Sequence, residues 1–311
     1  HHAQFRVQET LKIMGRDAQD IFFMAPPIDP NGYGTSGAVI QREMVGQGFN
    51  LNRNFVKQRI GLLYNHPHVM PKMPTDATVL YTMFESTSIP KSWVAHCRNA
   101  AKVLVPSNFV KDAFATRRVE TQVVLLGYDQ LAYKPVERKD DGVFTFLHYN
   151  AFNTRKGWDI LFQAFTEEFE EHEPVRLIFK STRTTAMSIA IPKKQYPNIE
   201  VIREHYSEQQ MLELAARSDC FVFPSNGEGF GLPPLEMLAT GMPVIIPNTS
   251  GMTEYFDPEY FYEIKATEQR RPLYAHVNID ECGYMLKPDK KDLKRQMRYV
   301  FEHQNEAKEK G

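Results

Sequence analysis

Three cysteines in 311 residues, no long apolar run and a formal net charge of −1 set the first limits on this chain. Cys97, Cys220 and Cys282 are scattered, odd in number and lack the paired spacing of a metal site. They read as buried thiols in a reducing compartment rather than as a disulfide framework. No stretch approaches the roughly 18 apolar residues of a membrane-spanning helix, and no secretory leader is visible. Near-neutral charge argues against a dedicated nucleic-acid binder. Internal repeats and low-complexity segments are missing, as is the G-x-G-x-x-G fingerprint of a dinucleotide site. No D-x-D pair stands at a strand end to hold a divalent ion, so no metal is expected at the site. The opening His1-His2 reads as a tag remnant and is set aside. The expected compartment is the cytoplasm.

What is present is ample apolar residue, 42% against 24% charged, enough for two buried cores. Short β-rich runs alternate with helical stretches. In the first half the expected strands are Ile21–Ala25, Ile60–Tyr64, Thr78–Phe84, Val103–Val105 and Gln122–Leu126, with helices at Thr35–Gln47, Pro90–Ala101 and Asn108–Thr116. The polar stretch Leu126–Gly142 then reads as a linker, after which the pattern restarts. Strands are expected at Val143–His148, Val175–Lys180, Ile199–Arg203, Cys220–Pro224 and Pro243–Pro247, and helices at Trp158–Glu171, Glu208–Arg217 and Pro233–Thr240. Ser207, three residues before Gln210, predicts a capping box for the middle one. The alternation implies two doubly wound α/β domains, 1–133 and 134–311, each with a parallel sheet. Such sheets bind ligands beyond the carboxyl ends of their strands, so the site is expected in an interdomain cleft.

One string carries chemistry: "SNGEGFGLPPLEMLATGMP", from Ser225 to Pro243. It runs from a strand's carboxyl end to a helix's amino end, with Pro233-Pro234 suited to the first helical turn and Gly241 to its end. Main-chain N–H groups of Gly229, Phe230, Gly231 and Leu232 can face outward there, and the helix dipole adds positive character. That suits an anion. Yet Glu228 and Glu236 flank the same stretch. Both features are reconciled by a ligand with a diphosphate in the middle and hydroxyl-bearing groups on either side. The amides take the phosphates, Glu228 the sugar, and Glu236, one helical turn in, the ribose.

The string "SDCFVFPSNGEGFGLPPLEMLATGMPVI", with two glutamates separated by seven residues, resembles the signature of retaining glycosyltransferases of family 4, which have the GT-B fold. The likeness extends through "HYSEQQMLELAARSD" and "RKGWDILFQAF", and more faintly through "VLVPSNFVKDAF" and "VVLLGYDQLAYKP". It implies a nucleoside-diphosphate sugar, UDP- or GDP-linked, as the sugar donor, no required cofactor, and transfer to an acceptor hydroxyl with retention at the anomeric carbon. It also implies that Lys156 binds phosphate. The arginine that usually accompanies this lysine, about six positions earlier, is replaced by Tyr149-Asn150, so that either Arg155 or Lys180 substitutes or one contact is missing. Arg203 and Tyr206 fall in the loop that lies against the nucleobase in relatives, and Glu254 near the phosphates and base.

In the first half, Asn31-Gly32-Tyr33-Gly34 reads as a glycine loop between strand and helix, with Gly34 close to the sugar donor or acceptor. Glu85 stands where many relatives carry a histidine, and is a candidate to orient the acceptor hydroxyl. His66 and His68 are candidate acceptor-site residues; without an acidic cluster they do not make a metal site. The acceptor is left open among a glycan, a lipid-linked saccharide and a small molecule. A slight basic bias in the first half permits a peripheral site at the inner membrane surface. The missing arginine and histidine motivate an alternative, a catalytically silent nucleotide-binding subunit. Relatives extend past the final "DLKRQMRYVFEHQNEAKEKG" with a helix that braces the first domain, a role that Phe5–Met14 could take.

Overall fold

Two parallel sheets of six strands each organise the chain. The computed structural model describes residues 20–26, 32–52, 58–69, 75–139, 141–181, 196–272, 274 and 278–311. The expected helix Phe5–Met14 and Asn31 lie outside the described residues.

The first compact unit comprises His1–Tyr128, Glu228–Phe230 and Arg271–Met285, as far as these are described. Its elements are β1 (Asp20–Met24), α1 (Gly32–Gly46), β2 (Asn50–Asn52), β3 (Gln58–Tyr64), β4 (Thr75–Tyr81), α2 (Lys91–Asn99), β5 (Lys102–Val105), α3 (Asn108–Ala115) and β6 (Gln122–Val123). The sheet order is β2-β1-β3-β4-β5-β6, and every pair is parallel. Its strands read as apolar runs because a parallel sheet is covered on both faces. One core cluster gathers Leu80, Trp93, Val105 and Phe114 with Cys282 from the late segment.

The second unit comprises Asp129–Gly227, Gly231–Arg270 and Leu286–Gly311. It holds β7 (Phe144–Asn150), α4 (Trp158–Glu168), β8 (Val175–Ser181), β9 (Ile199–Ile202), α5 (Glu208–Ala216), β10 (Cys220–Val222), α6 (Leu232–Ala239), β11 (Val244–Pro247), β12 (Phe261–Ile264), β13 (Glu268–Arg270), β14 (Met285–Lys287), α7 (Lys290–Glu302) and α8 (Gln304–Lys310). The large sheet runs β12-β11-β10-β7-β8-β9, again wholly parallel. Counted from β7, this is the 3-2-1-4-5-6 order of a Rossmann sheet, with its reversal between β7 and β10. Phe146, Leu161, Phe165, Phe179, Val222 and Leu293 are among the residues that fill the core.

Local sequence explains the element ends. The capping box at α5 is formed: Ser207 Oγ accepts from Gln210 N–H, and the Gln210 side chain accepts from Ser207 N–H at 2.9 Å. The stretch after Tyr128 is pinned to the second unit rather than free. Arg138 is tied by its guanidinium to the carbonyls of Ala215 and Thr240, at 2.6 and 2.9 Å.

Several expected bounds shift. α1 begins at Gly32, so Gly34 sits in its first turn and not in a loop. α4 ends at Glu168, before the polar Glu170–Glu173 turn, and β4 stops at Tyr81. Strands β2, β12, β13 and β14 are additional to those the pattern suggested. A division at 133/134 places 228–230 and 271–285 in the second half, whereas these segments pack with the first unit.

Candidate functional site

Within the second unit, the reversal between β7 and β10 brings two loops together at the carboxyl ends of the strands. One runs from Asn150 to Gly157, the other from Phe223 to Gly227. They are laced by hydrogen bonds. Asn226 N–H donates to the Arg155 carbonyl at 2.8 Å, its side-chain amide to the Thr154 and Arg155 carbonyls at 3.1 and 3.0 Å, and the Arg155 guanidinium to the Gly227 carbonyl at 2.7 Å. Arg270 closes the ring of contacts by donating to Asn226 Oδ1 at 3.0 Å. Gly157 is required where the loops meet. Its φ is 77°, and a Cβ there would lie 2.0 Å from the Pro224 carbonyl oxygen.

The loop after β10 ends at Gly231 (φ 88°), the N-cap of α6, where no side chain caps the helix. The first N–H groups of a helix lack intrahelical acceptors. Pro233 and Pro234 have none to offer, so Gly231 and Leu232 present the donors of this turn. The Gly231 carbonyl accepts from the Tyr255 hydroxyl at 2.7 Å. Glu236 follows one turn in, 7% exposed. Burial pushes its carboxyl up to about 7, and Asp129 adds to this, while a hydrogen bond from the Tyr133 hydroxyl acts in the opposite direction.

The cations expected to meet phosphate are differently placed. Lys156 ends the 3-10 turn Thr154–Lys156, half-buried, with its ammonium 5.4 Å from the centre of the Phe223 ring. Arg155 has one guanidinium nitrogen committed to Gly227. Lys180 is buried at the end of β8, donating to the Ser181 carbonyl at 2.5 Å and lying 4.9 Å over the Tyr206 ring. Burial pulls its ammonium down to about 8. Arg203 is exposed, and Glu254 ends the 3-10 turn Ser250–Glu254.

Beneath Lys156 a buried relay runs along β7. His148 Nδ1 lies 2.8 Å from the Val222 carbonyl, so that nitrogen must carry the proton. Nε2 then accepts from the Asn150 amide nitrogen at 3.3 Å, which turns Asn150 Oδ1 away with no hydrogen-bond partner. Burial holds His148 down at about 4, so it is neutral at ordinary pH.

In the first unit, Glu228 is 5% exposed. The Gly229 carbonyl accepts from the Ser107 hydroxyl at 2.8 Å, and a Cβ on Gly229 would crowd Met83 at 2.8 Å. Phe230 is buried. Glu85 is gripped by Tyr274, whose hydroxyl donates to Glu85 Oε2 at 3.0 Å and accepts from Glu85 N–H at 3.1 Å. His66 and His68 stack with each other and pack on Trp93. Among the described residues no group of three or more His, Cys, Asp or Glu is gathered around a metal-sized position, and no helix is long and apolar enough to cross a membrane. Cys97, Cys220 and Cys282 are all buried and free.

Tyr133, Tyr274, His148, Asn226 and Arg270 were not legible as site residues. Asn226 and Tyr133 stand within strings quoted for the resemblance but drew no role there, while Tyr274, His148 and Arg270 stand in none.

Residues 129–310, more than half the chain, match the family described as glycosyl transferases group 1. The chain belongs to that family. A protein of Sulfolobus islandicus filamentous virus that carries a glycosyltransferase name is 25% identical over 201 residues, 61% of this chain and 53% of its own length. The serotype-specific mannosyltransferase WbdA of Escherichia coli is 29% identical over 156 residues, 45% of this chain and 19% of its own. The chain therefore spans about half or less of the curated relatives it matches. Among solved structures, Anabaena HepE in complex with UDP-glucose is similar with a TM-score of 0.65 at 12% identity, covering 93% of this chain and 91% of that one. Sucrose-phosphate synthase from Thermosynechococcus elongatus has a TM-score of 0.59 at 16% identity, covering 88% and 70%. At those identities the likeness shows the fold, which is GT-B with two Rossmann-like α/β units.

Proposed function

We propose that this protein is a nucleotide-sugar glycosyltransferase acting with retention. The observation that carries the reading is the convergence, at the sheet reversal of the second unit, of an uncapped helix start with a buried carboxylate one turn further along. An anion suits the first and a diol suits the second. Lys156 on the adjoining loop supplies positive charge where a leaving phosphate develops its own. The binding of UDP-glucose by HepE, named in its structure, supports a nucleoside-diphosphate sugar as the substrate class.

In the proposed reaction Glu236 accepts from the ribose hydroxyls and Glu228 from hydroxyls of the transferred sugar. Gly229, Phe230, Gly231 and Leu232 line the diphosphate with main-chain N–H groups. With both glutamates engaged in binding, neither is free as a nucleophile. The acceptor oxygen therefore attacks the anomeric carbon on the face that the phosphate leaves. The carbon–phosphate-oxygen bond breaks as the new glycosidic bond forms, and the acceptor proton passes to the departing phosphate oxygen. Lys156 and the amides stabilise that phosphate. Glu85, held by Tyr274, is proposed to orient the acceptor hydroxyl. Arg203 and Tyr206 are proposed to border the base, and Gly34 the sugar-donor or acceptor side.

The test is a thermal-shift screen of nucleoside diphosphates followed by assay of the matching sugar donors for hydrolysis and transfer. Glu236→Ala is expected to weaken nucleotide binding by roughly 1.5–3 kcal/mol, and Glu228→Ala to lower turnover. Unchanged binding and turnover in both would remove the assignment.

A second reading, a catalytically silent nucleotide-binding subunit, is favoured by the cations. Arg155 already donates to the Gly227 carbonyl and Lys180 to that of Ser181. Tight nucleotide binding without turnover of any sugar donor would select it.

A further inference from the structure

Gly157 seats one end of the Lys156 turn against Pro224, but the rest of the turn has no packing to hold it. No residue of Thr154–Lys156 is buried. Its internal bonds set its shape: Asn153 Oδ1 accepts from Lys156 N–H at 3.1 Å, and the Thr154 carbonyl from Gly157 N–H at 3.2 Å. Its position comes from the carbonyls of Thr154 and Arg155, the two that precede Lys156, and Asn226 holds both. Asn226 is 2% exposed, and each of its polar atoms is engaged. Its main chain donates to the Arg155 carbonyl at 2.8 Å and accepts from Leu286 N–H at 3.3 Å. Its amide nitrogen donates to the Thr154 and Arg155 carbonyls at 3.1 and 3.0 Å, and its Oδ1 accepts from Arg270 Nη1 at 3.0 Å. Carbonyls on one side and a guanidinium on the other fix the amide one way round. Arg270 and Leu286 belong to the β13-β14 ribbon, which Lys287 Nζ and Glu268 Oε2 tie together at 3.2 Å.

We infer that Arg270 is a positioning residue: by holding the Asn226 side chain it fixes the turn that delivers Lys156. The inference rests on the reading of Lys156 as the phosphate-binding cation. All of these groups belong to the second unit. A charged donor grips an amide oxygen more firmly than a neutral one does, so an arginine suits the task. Removing the guanidinium strands a buried acceptor, Asn226 Oδ1, and the amide gains by turning toward another donor. The main-chain bonds of Asn226 to Arg155 and Leu286 survive that change. The fold therefore persists while the grip on the Thr154 and Arg155 carbonyls slackens. A cation stabilises a phosphate only where the charge develops, and a displacement of about 1 Å is enough to weaken it.

The experiment titrates UDP and GDP into the full chain by calorimetry, comparing wild type with Arg270→Met, Lys156→Met and the double variant. Melting curves establish that each is folded. Asn226→Ala, which keeps the main-chain bonds, repeats the cycle in place of Arg270→Met. Lys156→Met should weaken binding by about 10-fold or more, through loss of a charged hydrogen bond. Arg270→Met should weaken it by about 5-fold when Lys156 is present and leave it unchanged in the Lys156→Met background. A direct contact or a long-range attraction between Arg270 and the nucleotide would survive the removal of Lys156. Losses that multiply in the double variant would therefore overturn the inference, as would wild-type affinity in both Arg270→Met and Asn226→Ala. Lys156→Met binding as tightly as wild type, or no binding of either nucleotide by wild type, would instead overturn the phosphate reading beneath it.

Discussion

The two sheets match in strand number and direction but differ in what they bury. Among the described residues of the first unit, the covered polar side chains are neutral hydroxyls, with the carboxylate of Glu228 as the exception. Ser36 bonds Tyr64 at 2.7 Å, and Tyr81 reaches the Val124 carbonyl at 2.5 Å. In the second unit the covered groups include an imidazole, an ammonium and carboxylates: His148, Lys180, Asp129 and Glu236. A hydroxyl with one acceptor is nearly neutral in a core, whereas a buried ionisable group shifts its proton equilibrium instead. The shifts of His148, Lys180 and Glu236 fall toward the carboxyl ends of β7 and β8 and in the first turns of α6. Strain spent on titratable groups at one edge of a sheet is a mark of a site, and hydroxyl pairs are a mark of a frame.

The largest expected effect tests whether that edge depends on the meeting of the two loops. Gly157→Ala forces a side chain onto the Pro224 carbonyl at a left-handed position. It should cost roughly 4 kcal/mol or more of the second unit's stability in urea unfolding. Next comes Glu236→Gln. The folded protein binds the Glu236 proton more tightly than the unfolded chain, so this group adds stability as pH falls from above 7 toward the unfolded value of 4.5. Removing the charge should raise stability at pH 8 by about 3 kcal/mol, with the gain gone near pH 4.5. His148 works the other way. Its folded value near 4 makes stability fall as pH drops from 6.5 toward 4, so acid unfolding should be steeper in the Gln variant than in wild type.

Lys180→Met is expected to stabilise by about 1–2 kcal/mol at pH 7, because the cost of burying the ammonium is fully present below about 8. The same change should weaken nucleotide binding if Lys180 serves the phosphates. The smallest effect belongs to the frame. Tyr64→Phe should cost about 1 kcal/mol equally from pH 5 to pH 9, without altering nucleotide binding. A pH-dependent loss there would erase the distinction between the two units.

The β7, β8, β10 and β11 strands and the α5 and α6 helices were legible because their signals are local: apolar runs, a Ser-Glu-Gln-Gln cap, a Pro-Pro start and a Gly stop. β2, Asn-Leu-Asn, carries no such signal and exists because β1 is beside it. The packing of 271–285 with the first unit depends on contacts such as Ser86 Oγ to the Cys282 carbonyl at 2.7 Å, across 196 residues. The same holds at the site. Glu228 and Glu236 announce themselves by their spacing in a glycine-rich string. Tyr274 does not, since its partner Glu85 lies 189 residues away and only the folded chain supplies it.

A helix that opens Leu-Pro-Pro can count only to two. With main-chain hydrogens at 231 and 232 and none at 233 or 234, its mouth can saturate two oxygen atoms and then has nothing further to give. On the proposed reading it registers that phosphorus is present without measuring how long the phosphate chain is. Telling a monophosphate from a diphosphate must then fall to the N–H groups of Gly229 and Phe230 and to the cationic side chains, and the share carried by the cations fades with added salt.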